Sequence, residues 1–267
     1  MVSLGKQIRL SRLIHQRTGK VFFVTMDHAI TRGVLEGIED IRGMLEKMIA
    51  GGPDALTVHK GIAQEFFPPF AGKVALVMKA SSFAPYHPTY DTIVADVEEA
   101  VRLGADAISV GALVGGDHQA EMLHNVSRIS KEASSAGLPL IAHLYPKGEM
   151  IKDEERYHWK HMAYAARAGV ELGVDIVKTW YTGDPESFHK VVASTHGRVV
   201  AAGGPTMETP RELFEMTKGV MDAGALGVAY GRNIFQAKDP TRMVEALKII
   251  IHEKGTVEDA LKILGER

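Results

Sequence analysis

Lys178 is the residue whose surroundings most plainly suggest reactivity. It lies in Asp175-Ile176-Val177-Lys178-Thr179-Trp180, an apolar run of strand character, and burying an ammonium there favours the neutral amine. At an ordinary pKa of about 10.4, roughly 0.04% of a lysine is free base at pH 7; at about 7.5, roughly a quarter is. A neutral amine adds to a ketone or aldehyde and forms a Schiff base, an electron sink that needs no metal. The plainer alternative is a lysine that pairs with a carboxylate on a neighbouring strand or snorkels outward. Its companions decide between the two. Asp27 ends an apolar run and could orient a hydroxyl or move a proton, or could simply cap a helix. Tyr145 precedes Pro146-Lys147; a phenol beside a lysine or iminium can pass a proton, though alone it could equally be a packed aromatic.

Two glycine signals complete the set. Gly203-Gly204 follows Val199-Val200-Ala201-Ala202, and Gly231-Arg232-Asn233 follows Gly227-Val228-Ala229-Tyr230. Backbone without side chains lets amides approach an oxyanion, and Arg232 adds a guanidinium. The other Gly-Gly-Pro, at Gly51-Gly52-Pro53, follows a helix and reads as a C-cap. His28, His143 and Lys147 join Gly203, Gly204, Gly231 and Arg232 as candidate substrate-binding residues. No histidine pair has the close spacing of a zinc site, so no metal ligand and no cofactor are assigned.

These residues need elements to hold them. Eight short apolar runs recur along the chain: Val21–Asp27, Ala55–Lys60, Val74–Lys79, Ala107–Leu113, Leu138–Tyr145, Val174–Trp180, Arg198–Gly204 and Gly227–Gly231. Such runs, bounded by Gly or Pro, are how strands buried on both faces of a parallel sheet read. Helical stretches lie between them, including Glu39–Ala50, Tyr90–Leu103, Gln119–Ala136, Arg156–Leu172, Pro185–Ser194 and Pro210–Ala223, with Asp91, Asp184 and Thr209 placed as N-caps. Eightfold alternation in 267 residues predicts one TIM (β/α)8 barrel over residues 1–267, in preference to a doubly wound sheet. The extra helices in Pro240–Leu264 would pack outside or serve an oligomer contact. In such a barrel, reactive groups belong at the carboxyl ends of strands, and phosphate sites often use the loops after strands seven and eight.

Composition closes off other classes. With no cysteine there is no disulfide, thiolate metal site or cysteine nucleophile. Lys+Arg 31 against Asp+Glu 33 leaves no basic excess for nucleic acid or an anionic membrane. The start from Met1 to Lys20 lacks the apolar stretch of a signal peptide, and no run approaches the length of a membrane span. The expected location is therefore cytoplasmic and the expected ligand small. The segments Phe66–Phe70 and Ser81–Pro88 could shape a lid or a subunit contact.

Met26-Asp27-His28, His59-Lys60-Gly61-Ile62, Tyr145-Pro146-Lys147-Gly148, Val177-Lys178-Thr179, Tyr181-Thr182-Gly183-Asp184, Ala202-Gly203-Gly204-Pro205 and Gly231-Arg232-Asn233-Ile234-Phe235 together resemble the archaeal-type class I fructose-bisphosphate aldolase family, over nearly the whole chain. That family also includes 2-amino-3,7-dideoxy-D-threo-hept-6-ulosonate synthase and a thiolase acting on a phosphorylated signalling sugar. The resemblance implies that Lys178 forms the Schiff base, that Tyr145 is the acid/base, and that Asp27 positions or deprotonates the sugar hydroxyl. It implies that Gly203, Gly204, Gly231 and Arg232 hold a phosphate, that fructose 1,6-bisphosphate is the default substrate, and that the chain forms a homo-oligomer such as a decamer. His59-Lys60-Gly61 is closer to the heptulosonate synthase branch, where the bisphosphate aldolases carry Gln-Arg-Gly. A barrel that binds phosphate without chemistry, or a sugar-phosphate isomerase using Asp27, would not need Lys178.

Overall fold

Alternation along each predicted strand sets the architecture. The computed structural model describes residues 3–265, so the ends of the expected 1–267 unit, Met1 included, lie outside them. Helix α1 (Leu4–Leu13) precedes β1 (Val21–Thr25), α2 (His28–Arg32), α3 (Ile41–Gly51), β2 (Ala55–His59), α4 (Lys60–Phe66) and β3 (Ala75–Lys79). A hairpin of β4 (Ser81–Ala84) and β5 (His87–Ile93) then leads to α5 (Val97–Arg102), β6 (Ala107–Val114), α6 (Gln119–Ser135), β7 (Leu140–Pro146) and α7 (Trp159–Glu171). The chain ends with β8 (Ile176–Thr179), α8 (Pro185–Ser194), β9 (Val199–Ala202), α9 (Pro210–Asp222), β10 (Gly227–Tyr230), α10 (Arg232–Phe235), α11 (Pro240–His252) and α12 (Val257–Leu264).

Eight parallel strands close in the order β1-β10-β9-β8-β7-β6-β3-β2, a TIM barrel, and the eight expected runs supply them. Inward-facing Val21, Phe23, Ala55, Ala75, Val77, Ala107, Ile141, Ile176, Val200 and Ala229 form one interior cluster. Their outward neighbours, such as Phe22, Val24, Leu56, Met78, Val177 and Val228, pack against the helices in the larger cluster. Helix α1 covers the amino-terminal end of the barrel, adding Leu13 to the interior. The basic residues of the first segment hold it there: Lys6 pairs with Asp175 at 2.8 Å, Arg12 with Asp106 at 3.0 Å, and Arg9 donates to the Gly137 carbonyl. Of the C-terminal helices, α11 packs on α3 and α9, and α12 packs on α11 and α9. No helix among the described residues is long and apolar enough to cross a membrane.

The expected helix Tyr90–Leu103 is corrected. Residues 87–93 form the second strand of the hairpin, and only Val97–Arg102 is helical, capped by Asp96, whose side chain accepts from the Glu99 amide. Asp91 caps nothing; it is a buried strand residue. The Phe66–Phe70 segment is core, since Phe67 and Phe70 are buried and Phe66 packs against them. The His252 side chain, at the end of α11, is enclosed with its Nε2 3.0 Å from Asp54 Oδ2.

One glycine tests the closure of the barrel. A Cβ on Gly227 would lie 1.8 Å from the Val21 carbonyl oxygen, across the seam where β1 meets β10. Gly227→Ala is expected to destabilise the fold by on the order of 3 kcal/mol, read as a lowered thermal midpoint by circular dichroism.

Candidate active site

At its carboxyl end the barrel's interior stripe turns from aliphatic to ionisable. Ile176 is followed two residues later by Lys178, Ile141 by His143 and then Tyr145, Val77 by Lys79, and Thr25 by Asp27, so the same strand parity that builds the core aims these groups into one mouth. There they line a cavity of about 640 Å³. All ten sequence-predicted residues border it: Lys178, Tyr145, Asp27, Gly203, Gly204, Gly231, Arg232, His28, His143 and Lys147.

Lys178 is 7% exposed, and among the described residues it has neither a hydrogen-bond partner nor a carboxylate within 4 Å. The structure therefore offers neither the direct ion pair nor the outward snorkel of the plainer reading. Burial draws its pKa down to about 8, Asp27 resisting and Lys79 assisting. Asp27 is the complementary case. Burial opposes its charge, but the surrounding His28, Lys178, His143 and Lys79 outweigh that and hold its carboxyl well below the usual range. It makes no capping bond to α2, which leaves the helix-cap alternative without support. Burial draws His28 down to about 4 and His143 well below the ordinary imidazole value, so both are neutral at pH 7. The Tyr145 phenol is pushed up by burial and by Asp27, and remains a proton carrier. Its ring stacks on Trp180 at 4.7 Å, and Trp180 in turn meets Tyr157 at 5.3 Å.

The wall beside Lys178, on the turns after β9 and β10, is a backbone cradle. Arg232 donates to the Gly204 carbonyl at 2.5 Å, while Asn233 donates to the carbonyls of Gly203 and Pro205 and accepts from the Met207 amide. These bonds tie the loop after β9 to the start of α10. Gly231 cannot carry a side chain, because a Cβ would sit 2.3 Å from the His28 ring and 2.7 Å from the Thr25 carbonyl. Arg32 also lines the cavity, and among the described residues neither Arg32 nor Arg232 has a carboxylate partner. Such a cationic, glycine-walled pocket at strands seven and eight of the barrel suits a phosphate. No group of three or more His, Asp or Glu among the described residues could hold a metal ion.

Comparison with known proteins agrees with this geometry. The profile of the DeoC/LacD family aldolases matches residues 21–237. The chain is a DeoC/LacD family aldolase. A 2-amino-3,7-dideoxy-D-threo-hept-6-ulosonate synthase from Halobacterium salinarum is 33% identical over 99% of this chain and 98% of its own length. A 2-amino-4,5-dihydroxy-6-oxo-7-(phosphonooxy)heptanoate synthase from Streptomyces griseus is 31% identical over 94% of this chain and 92% of its own. Among solved structures, a Schiff-base-forming fructose-1,6-bisphosphate aldolase superposes with a TM-score of 0.84 at 30% identity, covering 92% of this chain and all of that one. This aldolase is thus a lyase of the class I, Schiff-base type.

Sequence reasoning left several residues of the aldolase cavity without a role. Lys79 has the same inward parity as Lys178, a signal available in the sequence. Asp91, Ser82, Phe83, Pro85 and Pro88 reach the cavity through the hairpin, and Arg32, Arg156 and Trp180 line it as well. His59 lies beneath the site, its Nδ1 3.1 Å from the Lys79 carbonyl oxygen, and Lys60 turns away to pair with Glu99 at 2.8 Å.

A lysine depressed from 10.5 to about 8 destabilises the fold by about 3 kcal/mol wherever both states would otherwise be protonated. That cost is complete below pH 8. It shrinks as pH rises from 8 to 10.5, where the unfolded state binds the extra proton, and is gone above. Lys178→Met is therefore expected to raise the thermal midpoint at pH 7 by several degrees, with the gain fading at alkaline pH, as followed by calorimetry across pH.

Proposed function

We propose that this aldolase joins a phosphorylated ketone donor to an amino-acid-derived aldehyde, the heptulosonate-synthase type of reaction. The observation that carries the reading is the cavity itself, which a dry amine shares with a cationic glycine cradle, a phenol and a carboxylate. Choice of substrate rests on the relatives alike end to end, one of them named for a 7-phosphonooxy, 6-oxo, 2-amino product. A product of that pattern disconnects, by ordinary aldol logic, into a three-carbon ketone phosphate and a four-carbon 2-amino aldehyde.

In this scheme the cradle of Gly203, Gly204, Gly231 and Arg232 holds the donor phosphate and places the ketone carbon at Lys178. The amine adds to that carbon, the carbinolamine expels hydroxide to give an iminium, and the hydroxide leaves as water with the proton that the adjacent carbon gives up, so that an enamine forms. The enamine carbon attacks the acceptor aldehyde, and its carbonyl pair takes a proton from the Tyr145 phenol. Asp27, held as a carboxylate, accepts a hydrogen bond from the substrate hydroxyl and balances the iminium charge. Water then hydrolyses the imine and frees Lys178. His28, His143 and Lys147 complete the pocket around the donor.

Fructose 1,6-bisphosphate cleavage is the second reading, favoured by the 30% identical structural relative. It runs the same bonds in reverse and releases free aldehyde. Incubation of the purified protein with donor plus each acceptor, and with fructose 1,6-bisphosphate alone, separates the two: turnover that requires the amino aldehyde supports the first, release of triose phosphates from the bisphosphate supports the second. Borohydride added with dihydroxyacetone phosphate is expected to fix one adduct on Lys178, located by peptide mass, and full turnover by Lys178→Ala would exclude imine chemistry. Tyr145→Phe is expected to lower kcat by roughly 10²–10⁴-fold while leaving the borohydride adduct intact.

A further inference from the structure

In the proposed reaction Tyr145 meets the acceptor's carbonyl, and the other end of the acceptor needs a partner of its own. Arg156 stands within reach of it. It lies in the loop between β7 and α7 and lines the reactive cavity. Its guanidinium carbon is 5.0 Å from the centre of the Tyr157 ring and 5.9 Å from that of Trp180. Trp180 in turn stacks on Tyr145 at 4.7 Å, so a single indole separates the phenol from the guanidinium.

The loop that carries Arg156 is fastened. The Lys147 and Met150 amides donate to the Val114 and Gly115 carbonyls at 3.0 and 2.8 Å, which ties the start of the loop to the end of β6. Arg156 itself lies in a turn closed by the His158 amide on the Glu155 carbonyl at 2.8 Å. Contact with two rings steadies the guanidinium without using its N–H groups. Among the described residues Arg156 donates no hydrogen bond, and its Nε is enclosed without a partner. The carboxylate beside it, Asp153, is 3.5 Å away and 87% exposed, an arrangement that contributes little.

A groove continues past Arg156, lined by Pro185, Met207 and Met216 and by Glu212 and Glu215. Arg156 is the one cation among the described residues of that lining. An oxyanion moving beyond it would meet apolar and acidic surface, so the guanidinium is its last favourable stop in that direction.

We propose that Arg156 is a specificity-determining residue of this aldolase: it receives the oxyanion at the far end of the acceptor, and so favours aldehydes that carry a carboxylate or phosphate over neutral ones. The forked N–H groups of a guanidinium suit either anion. The donor phosphate keeps its own cations, Arg232 and Arg32. This inference rests on Tyr145 meeting the acceptor carbonyl in the proposed reaction, but one arm of its test needs no turnover.

Initial rates of addition are measured with dihydroxyacetone phosphate and, in turn, 2-amino-4-oxobutanoate, glyceraldehyde 3-phosphate and uncharged glyceraldehyde. Arg156→Met is expected to raise KM for the anionic acceptor that the parent uses by roughly 10–100-fold. The kcat, the KM of the donor and the KM of glyceraldehyde are expected to stay as in the parent. A shift with the amino aldehyde marks a carboxylate at the subsite, and one with the triose phosphate marks a phosphate. Arg156→Lys, which keeps the charge but not the fork, is expected to fall between parent and Arg156→Met. Should Arg156→Met not fold by circular dichroism, Arg156→Gln serves with the same expectation. In the second arm, phenylglyoxal labelling of the parent is read by peptide mass with and without succinate as the probe; succinate is expected to slow labelling of Arg156 several-fold and to leave Arg102 unaffected. An unchanged acceptor KM in a folded variant overturns the inference, as does a rise confined to the KM of the donor. Where no aldehyde is turned over, shielding of Arg156 by succinate upholds the subsite while the proposed reaction fails, and absence of shielding overturns the inference as well.

Discussion

An amine held dry in a closed parallel barrel, its pKa drawn down to about 8, is the constraint to which the rest of this structure answers. Water would solvate the ammonium and return its pKa to the ordinary value, so under the proposed reaction Lys178 must be dry, and dryness costs about 3 kcal/mol of folding energy. That is a large fraction of the net stability of an ordinary domain. The aliphatic interior and the α1 plug offset the cost at the other end of the barrel, where Lys6, Arg9 and Arg12 tie the plug down without reaching the mouth. The same dryness strengthens every charge nearby. Under the proposed reaction it lets one carboxylate, Asp27, serve both as the counter-charge to an iminium and as a hydrogen-bond acceptor.

A phosphorylated substrate brings a difficulty of its own. A phosphate dianion beside Lys178 would pull the amine back toward its protonated form, undoing what burial achieved. The cations of the cradle answer this. Arg232 and Arg32 face the cavity without carboxylate partners, and burial together with Arg32 draws the Arg232 pKa down, which marks a site short of negative charge. An anion that lands there neutralises excess guanidinium charge locally, and its field at the amine is correspondingly reduced.

How far the sequence revealed this depends on the range of the interactions involved. Strand parity is local, so Ile176-Val177-Lys178 and Ile141-Ala142-His143 disclosed which side chains face inward, and the glycine pairs after β9 and β10 were visible as breaks in apolar runs. The hairpin was not. Asp91 followed by Val94, Val97 and Val101 imitates a capped amphipathic helix, and nothing between residues 81 and 93 shows that Gly111, on a later strand, leaves a space for a carboxylate. Lys79 stood in plain sight with the same parity as Lys178. Without Asp91 and Ser81 beside it, it read as one more polar strand end. The Phe66–Phe70 segment misled for the opposite reason: aromatic and proline-rich, it resembled an exposed lid, yet Phe67 and Phe70 bury their rings edge to face beneath the barrel helices.

The two sides of the mouth have different origins, and that bears on how such a site acquires a new substrate. Lys178, Tyr145, Asp27 and the cradle stand on barrel strands or on the turns immediately after them, where a shift of register would turn a core residue outward. The wall formed by Ser82, Phe83, Ala84, Pro85 and Pro88 belongs to an insertion between β3 and β6 that the closed sheet does not require. Its loop side can change length and polarity without moving the strand that carries the amine. Under the proposed reaction the donor is bound by the rigid side, and the acceptor meets a wall free to vary.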